Sequence, residues 1–327
     1  MFFSCVKINE TNLIFSPDSV TELLLSESYN LSKAQIMNPQ SIKFNSDKIM
    51  VLDDVPDKII KQINNRGDLI QSFGRRGNGP EEFNQVTSFF VRDSNSIDLY
   101  DQGRNRLVQS SNFENVKGLW VCDKSLDLVT PISDSLYVCA AVFDSASTYL
   151  MDKKGLIIDQ SFYFPPKKEC VPLLSHSMAM SGVLVGSISS SYFAKASAFD
   201  GGIDVFQIER NKIIHKWRFS NFDMEYDIIQ EYNNVPAPND NTRRGYIDIF
   251  IGRDKIYALF SGKRFLDSYS SAGNLIHVFD FNGNHNELLV LEKEASMFTI
   301  DEENLILYAF RKQIDDQEMI YLDKYSI

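Results

Sequence analysis

No run of about eighteen or more apolar residues occurs in this 327-residue chain, so no segment reads as a membrane-spanning helix. Basic residues are outnumbered. The 33 Lys and Arg against 44 Asp and Glu leave a net charge of -11, which excludes the broad basic face of a general nucleic-acid binder. Cysteine is scarce: Cys5, Cys122, Cys139 and Cys170 make no C-x-x-C and match no metal-ligand spacing. The last three read as buried or free thiols, and a Cys122–Cys139 bridge stays open. His176, His215, His277 and His285 form neither H-x-x-x-H nor H-E-x-x-H, and a zinc site needs more ligands than the His277/His285 pair supplies. There is no G-x-S-x-G nucleophile elbow and no D-x-D-x-D-G calcium loop. What the chain does have is 43% hydrophobic residues with 24 Phe, enough for a large core of stacked sheets.

The stretch Gly74-Arg75-Arg76-Gly77-Asn78-Gly79-Pro80-Glu81-Glu82-Phe83 organises the rest. Its glycines and proline continue neither helix nor strand. Strand-like segments flank it, Leu69 to Phe73 before and Thr87 to Val91 after, so it joins strand to strand. A phosphate-cradling glycine loop needs a helix behind it, and none follows.

From residue 38 the chain is a succession of short strands separated by turns. Four precede the glycine loop: Ser41 to Phe44, Lys48 to Leu52, Lys58 to Asn64 and Leu69 to Phe73. Sets of four recur, including Val183 to Ser187 and Ile203 to Ile208 in a fourth set that opens at His176 to Met180. Gly67 and Gly155 sit in matching turns 88 residues apart, two periods of about 44, close to the period of propeller blades. An insertion rich in Asn, Asp and Pro, Ser220 to Gly245, reads as an ordered lid or a loose loop. Five full meanders and a three-stranded remainder predict an all-β fold, a six-bladed β-propeller of four-stranded antiparallel blades. The missing strand comes from the N-terminal side, at Leu23 to Leu31, and closes the ring.

The expected organisation is a tether over residues 1–19 and one propeller domain over 20–327. Met1-Phe2-Phe3-Ser4-Cys5 matches the end of a bacterial lipoprotein signal, with Cys5 as the acylated residue and Met1 as an internal Met or a misassigned start. The alternative is an incidental Cys on a cytoplasmic chain.

The glycine loop resembles the G-x-x-G-x-G-P-x-E-F loop of six-bladed propellers related to the NHL and TolB-like families. The stretches Arg244-Gly245-Tyr246-Ile247 and Ile256-Tyr257-Ala258-Leu259-Phe260-Ser261-Gly262-Lys263 also resemble the TolB-like lipoproteins of Gram-negative bacteria. The resemblance implies a fold and an envelope location, and no activity.

In a propeller the blade-to-blade connectors and the loops between second and third strands emerge on one face. That geometry puts Arg75, Arg76, Arg104, Arg106, Arg243 and Arg244 together, next to Tyr246, as candidate ligand-binding residues for a carboxylate, sulfate or phosphate. Single solvated charges paired with Glu81, Glu82 or Asp101 are the simpler account of each. The same face carries Asp53, Asp54 and Asp57 from the first blade and Asp315, Asp316 and Glu318 from the last. They are weak candidates for Ca²⁺, which needs about six to eight oxygens; turn chemistry explains them equally. Tyr192, Phe193, Phe265 and Tyr269 are placed in long loops there, to stack on a ligand or plug the channel.

No catalytic constellation is present. The expected function is therefore non-catalytic: a monomeric envelope propeller that binds a protein or small-molecule ligand. It carries no cofactor and no nucleic acid, and it meets the membrane only through a lipid on Cys5. The alternative is a metal-dependent propeller enzyme of lactonase, hydrolase or lyase type.

Overall fold

The structure, a computed structural model, describes residues 17–93, 95–141, 146–165, 171–197, 199–230, 234–314 and 318–327. Two strands lead the chain, β1 (Ser19–Leu23) and β2 (Leu25–Asn30). Blade I follows as β3 (Pro39–Asn45), β4 (Lys48–Asp53), β5 (Asp57–Asn64) and β6 (Leu69–Arg75). Blade II is β7 (Val86–Asp93), β8 (Ser96–Asp101), β9 (Arg106–Ser111) and β10 (Asn115–Val121). Blade III is β11 (Leu128–Pro131), β12 (Leu136–Ala140), β13 (Thr148–Asp152) and β14 (Ile157–Ser161). A short helix, α1 (Leu173–Ala179), precedes blade IV: β15 (Gly182–Gly186), β16 (Tyr192–Ser197), β17 (Gly202–Glu209) and β18 (Lys212–Ser220). A small hairpin, β19 (Asp227–Ile229) and β20 (Val235–Ala237), leads to blade V: β21 (Tyr246–Ile251), β22 (Lys255–Phe260), β23 (Gly273–Asp280) and β24 (His285–Ala295). Blade VI is β25 (Met297–Asp301), β26 (Ile306–Ile314) and β27 (Glu318–Ser326). The fold is the expected six-bladed propeller.

The middle strands of each blade pack between neighbouring blades and so read as continuous apolar runs. In β4, Ile49, Met50, Val51 and Leu52 are all buried. The hairpins between third and fourth strands share one design. In blades I, III and V the side chains of Asn64, Asp152 and Asp280 each accept two backbone N–H groups at 2.8–2.9 Å. Gly155 and Gly283 follow with φ of +81° and +89°, a region open to glycine. A Cβ there would stand 3.0 and 2.9 Å from Trp120 and Trp217 of the preceding blade. The turn motif thus also spaces the blades.

Closure uses the N-terminal strand, as expected, and goes further. β2 pairs antiparallel with β27 and completes blade VI as its fourth strand, while β1 runs parallel to β24 as a fifth strand of blade V. Leu23 joins the buried cluster of Leu289 and Leu291, and the Leu25 N–H donates to Glu292 at 3.0 Å. One segment therefore covers two sheet edges.

Three local readings change. His176 to Met180 is helix α1 and not a strand: Pro172 caps its start, and His176 is buried, with Nε2 2.9 Å from the Pro165 carbonyl. The true second strand of blade IV is β16, which contains Tyr192 and Phe193. Phe193 is fully buried and stacks on Phe206 at 4.7 Å, and Tyr192 stacks on Phe281 at 4.3 Å, so neither is a loop aromatic. Cys122 and Cys139 are free and buried, so no bridge joins them. The insertion is ordered where described: β19–β20 packs against α1, and Thr242 is fully buried. Cys5, Cys170, Asp315 and Asp316 lie outside the described residues.

Candidate functional site

The six innermost strands surround a channel whose cavity is about 320 Å³, lined by residues of β3, β7, β11, β15, β21 and β25. Its wall mixes apolar side chains with serines, threonines and Gln40, and carries two charges among the described residues. Lys43 on β3 and Asp248 on β21 both look into it. Burial lowers the Lys43 amine and lifts the Asp248 carboxyl to about 6; Lys43 and the N–H groups of Phe298 (2.8 Å) and Ile249 (2.9 Å) partly hold the carboxylate down.

On the connector face the channel opens into a mouth of about 410 Å³. Among the described residues three cations line it, Arg244, Arg311 and Lys312, against one carboxylate, Glu318. Arg311 is committed to Asp323 (2.6 Å) and the Gln313 side chain (2.9 Å), and Lys312 to Glu318 (2.5 Å). Arg244 differs. Its guanidinium stacks on the Phe265 ring at 4.1 Å and its Nε reaches the Ser270 hydroxyl at 3.4 Å. Among the described residues it has no carboxylate partner, and burial alone pushes its pKa down. The guanidinium is half-buried at the rim of the cavity, where an arginine can form charge-assisted hydrogen bonds with an anion.

The glycine loop serves another end. The Glu82 carboxylate folds back into it: the Gly79 N–H donates to Glu82 at 2.7 Å, and Arg75 pairs with the same group. The Gly79 N–H and Arg75 together lower the Glu82 pKa. Arg104 donates to the Gly77 and Gly79 carbonyls, both at 2.8 Å, and Arg106 to the Glu82 carbonyl at 2.7 Å and to Asp101 at 3.3 Å. Asp101 also accepts from the Asn84 and Gln85 N–H groups. Arg76 pairs with Asp54. The loop is a latch that ties blade I to blade II, with the Glu82 carboxylate folded into it and a cavity of about 660 Å³ open beside it.

Of the predicted site residues, then, the structure gathers Arg75, Arg76, Arg104 and Arg106 around the latch and sets Arg243 and Arg244 at the blade IV–V connector. Arg243 donates to the Gly262 carbonyl at 3.0 Å. The Tyr246 hydroxyl is buried between Asn221 and His277, each at 3.1 Å. Phe265 is the platform beneath Arg244, and Tyr269 is exposed in the same loop. Asp53 is fully buried, bound to Lys61 and to the Asn38 N–H (2.6 Å), and Asp57 is exposed on β5. Among the described residues no group of three or more His, Cys, Asp or Glu is placed to hold a metal. His277 and His285 are core rings 5.3 Å apart in blade V. Arg311 and Lys312 at the mouth, and Lys43 and Asp248 in the channel, were not singled out from the sequence. The signal was there: a charge inside an apolar triplet of an innermost strand, as in Ile42-Lys43-Phe44 and Ile247-Asp248-Ile249.

With this geometry in view, comparison with known proteins is informative. The family described as TolB-like 6-blade propeller-like matches residues 21–303. The chain belongs to the TolB-like six-bladed propeller family. The match begins within β1, so it takes in the closing strand β2. Two crystal structures share the fold. One is that of a "Putative exported protein" from Bacteroides fragilis, with a TM-score of 0.56 and 13% identity, covering 95% of this chain and 100% of that one. The other is a member of the duf4221 family from Bacteroides vulgatus, with a TM-score of 0.60 and 10% identity, covering 92% and 97%. At these identities the likeness is one of fold. Among curated proteins no sequence relative matches this TolB-like chain.

Proposed function

We propose that this TolB-like propeller is a non-catalytic binding protein of the bacterial cell envelope, and that its ligand presents an anionic oxygen group to Arg244 at the channel mouth. The observation that carries the reading is Arg244 itself. Its neighbours at the mouth, Arg311 and Lys312, are neutralised by Asp323 and Glu318, whereas among the described residues Arg244 has only a ring and a hydroxyl. Desolvating a cation without a partner is costly, and binding an anion recovers that cost. The envelope location is supported by the likeness to the exported protein from Bacteroides fragilis and by the lipoprotein-like Phe2-Phe3-Ser4-Cys5 stretch.

Thermal-shift titration of the purified protein with sulfate, phosphate, acetate and malonate, against chloride at matched ionic strength, tests the site. At least one oxyanion is expected to raise Tm with the logarithm of its concentration, by an amount corresponding to about 2.7 kcal/mol at a hundredfold excess over Kd. An Arg244→Gln protein is expected to lose the effect. Equal response to every anion, or an undiminished response in Arg244→Gln, contradicts the reading. Mass spectrometry of protein from native membranes tests the anchor: an acylated Cys5 at the N-terminus is expected, and an unmodified Met1 overturns it.

A further inference from the structure

A second cavity, of about 490 Å³, opens on the connector face where blades II, III and IV meet. Lys195 and Asp127 both line it. Lys195 is the lone charge of β16, between the buried Ala194 and Ala196. Among the described residues its Nζ makes one long hydrogen bond, to the Ser147 carbonyl at 3.4 Å. Asp127 lies on the connector before β11, and its Oδ1 accepts from the Gln102 side chain at 2.9 Å. The two charges influence one another across the cavity without meeting as an ion pair. Asp204, the other charge that acts on Lys195, is already engaged by Arg218 (2.5 Å) and His215 (3.0 Å). Burial holds the Lys195 amine down to about 8 and lifts the Asp127 carboxyl.

A cation and an anion therefore look into one space, each desolvated and, among the described residues, neither closed into an ion pair. The remaining wall is mainly apolar, with Leu128, Met178 and Leu184. We infer that this cavity binds a free α-amino acid with an apolar side chain. The ligand carboxylate meets Lys195 Nζ. The ligand ammonium meets the Asp127 carboxylate and the Gln102 Oε1. The side chain lies against Leu128, Met178 and Leu184. A volume of this order suits a small metabolite, and opposite charges at set positions select a zwitterion over a simple acid or amine. The inference goes beyond the anion site at the mouth and does not use Arg244.

Isothermal titration calorimetry of the full chain with L-leucine, L-methionine and L-phenylalanine tests it, beside leucinamide, which lacks the carboxylate, and N-acetyl-leucine, which lacks the ammonium. At least one free amino acid is expected to bind saturably, and each blocked analogue of leucine to bind about tenfold more weakly or worse. Lys195→Met and Asp127→Asn are expected to lose binding while keeping the wild-type Tm. Should either variant fail to fold, the analogue comparison on the wild-type protein decides. Arg244→Gln is expected to bind the amino acid normally, which separates this site from the one at the mouth. No binding of any of the three amino acids, or equal binding of the blocked analogues, or wild-type affinity in folded Lys195→Met, overturns the inference.

Discussion

Between blades I and II, Arg75 and Arg76 each meet a carboxylate, and Arg104 and Arg106 hold the carbonyls of the glycine loop. Between blades IV and V, Arg244 rests on a phenyl ring with no carboxylate in reach among the described residues. The two regions occupy equivalent places in the ring and carry similar residues. The difference lies in what neutralises the charge. A glycine loop whose own Glu82 folds into it has used its donors on itself, so it stabilises the fold. An arginine left without a counter-ion at a cavity rim keeps its binding capacity for something else. Arginine on a propeller face is therefore not by itself a site; the absence of its partner is what marks one.

The comparison can be broken first at its most tightly bound point. Asp53→Ala leaves the Lys61 ammonium buried beside the Gln35 carbonyl alone and removes the acceptor for the Asn38 N–H. A loss of about 3–5 kcal/mol is expected in urea denaturation, with no such loss from Arg244→Gln. The blade V side has a different weakness, to acid. Burial holds His277 at about 3 and His285 at about 4, below the usual value of about 6.5 for a free histidine. The unfolded chain therefore takes up these protons first. Stability is full above about pH 6.5 and falls as pH drops towards 4, by up to about 1.4 kcal/mol per pH unit for His277. Urea midpoints measured from pH 7 to 4 are expected to show this slope, and His277→Phe to flatten it. Smaller again, Arg106→Gln loosens the latch and costs about 1–3 kcal/mol of stability. Least of all, Arg244→Gln is expected to change stability by no more than about 0.5 kcal/mol, since it breaks no ion pair.

Much of this fold was readable in the amino-acid order. The hairpin glycines Gly67, Gly155 and Gly283 recur because each turn needs a positive φ and room for a neighbouring blade, and such needs leave a residue-level mark. The closing strand was readable from strand arithmetic. β1 was not: Ser19 to Leu23 buries only Leu23, because it adds to an outer edge that faces solvent, and so leaves no alternating pattern. β16 was missed because Phe193-Ala194-Lys195-Ala196 mixes small residues with a charge, and helix α1 because its buried Ser175, His176 and Ser177 carry no apolar stripe. At the site, Arg244 was among the arginines singled out, yet nothing in the sequence distinguished it from Arg106. Arg106 has Asp101 opposite it across the β8–β9 ladder, whereas among the described residues Arg244 has a ring and a hydroxyl brought up by the long loop after β22, and local spacing does not report that.

Calorimetric titration of one oxyanion, sulfate, into wild type, Arg106→Gln and Arg244→Gln, each with its Tm, tests the contrast directly. The account predicts a single saturable site in wild type, kept in Arg106→Gln despite a lower Tm, and lost in Arg244→Gln at unchanged Tm. Loss of sulfate binding in Arg106→Gln with retention in Arg244→Gln would contradict it and return the glycine loop to the centre of the function.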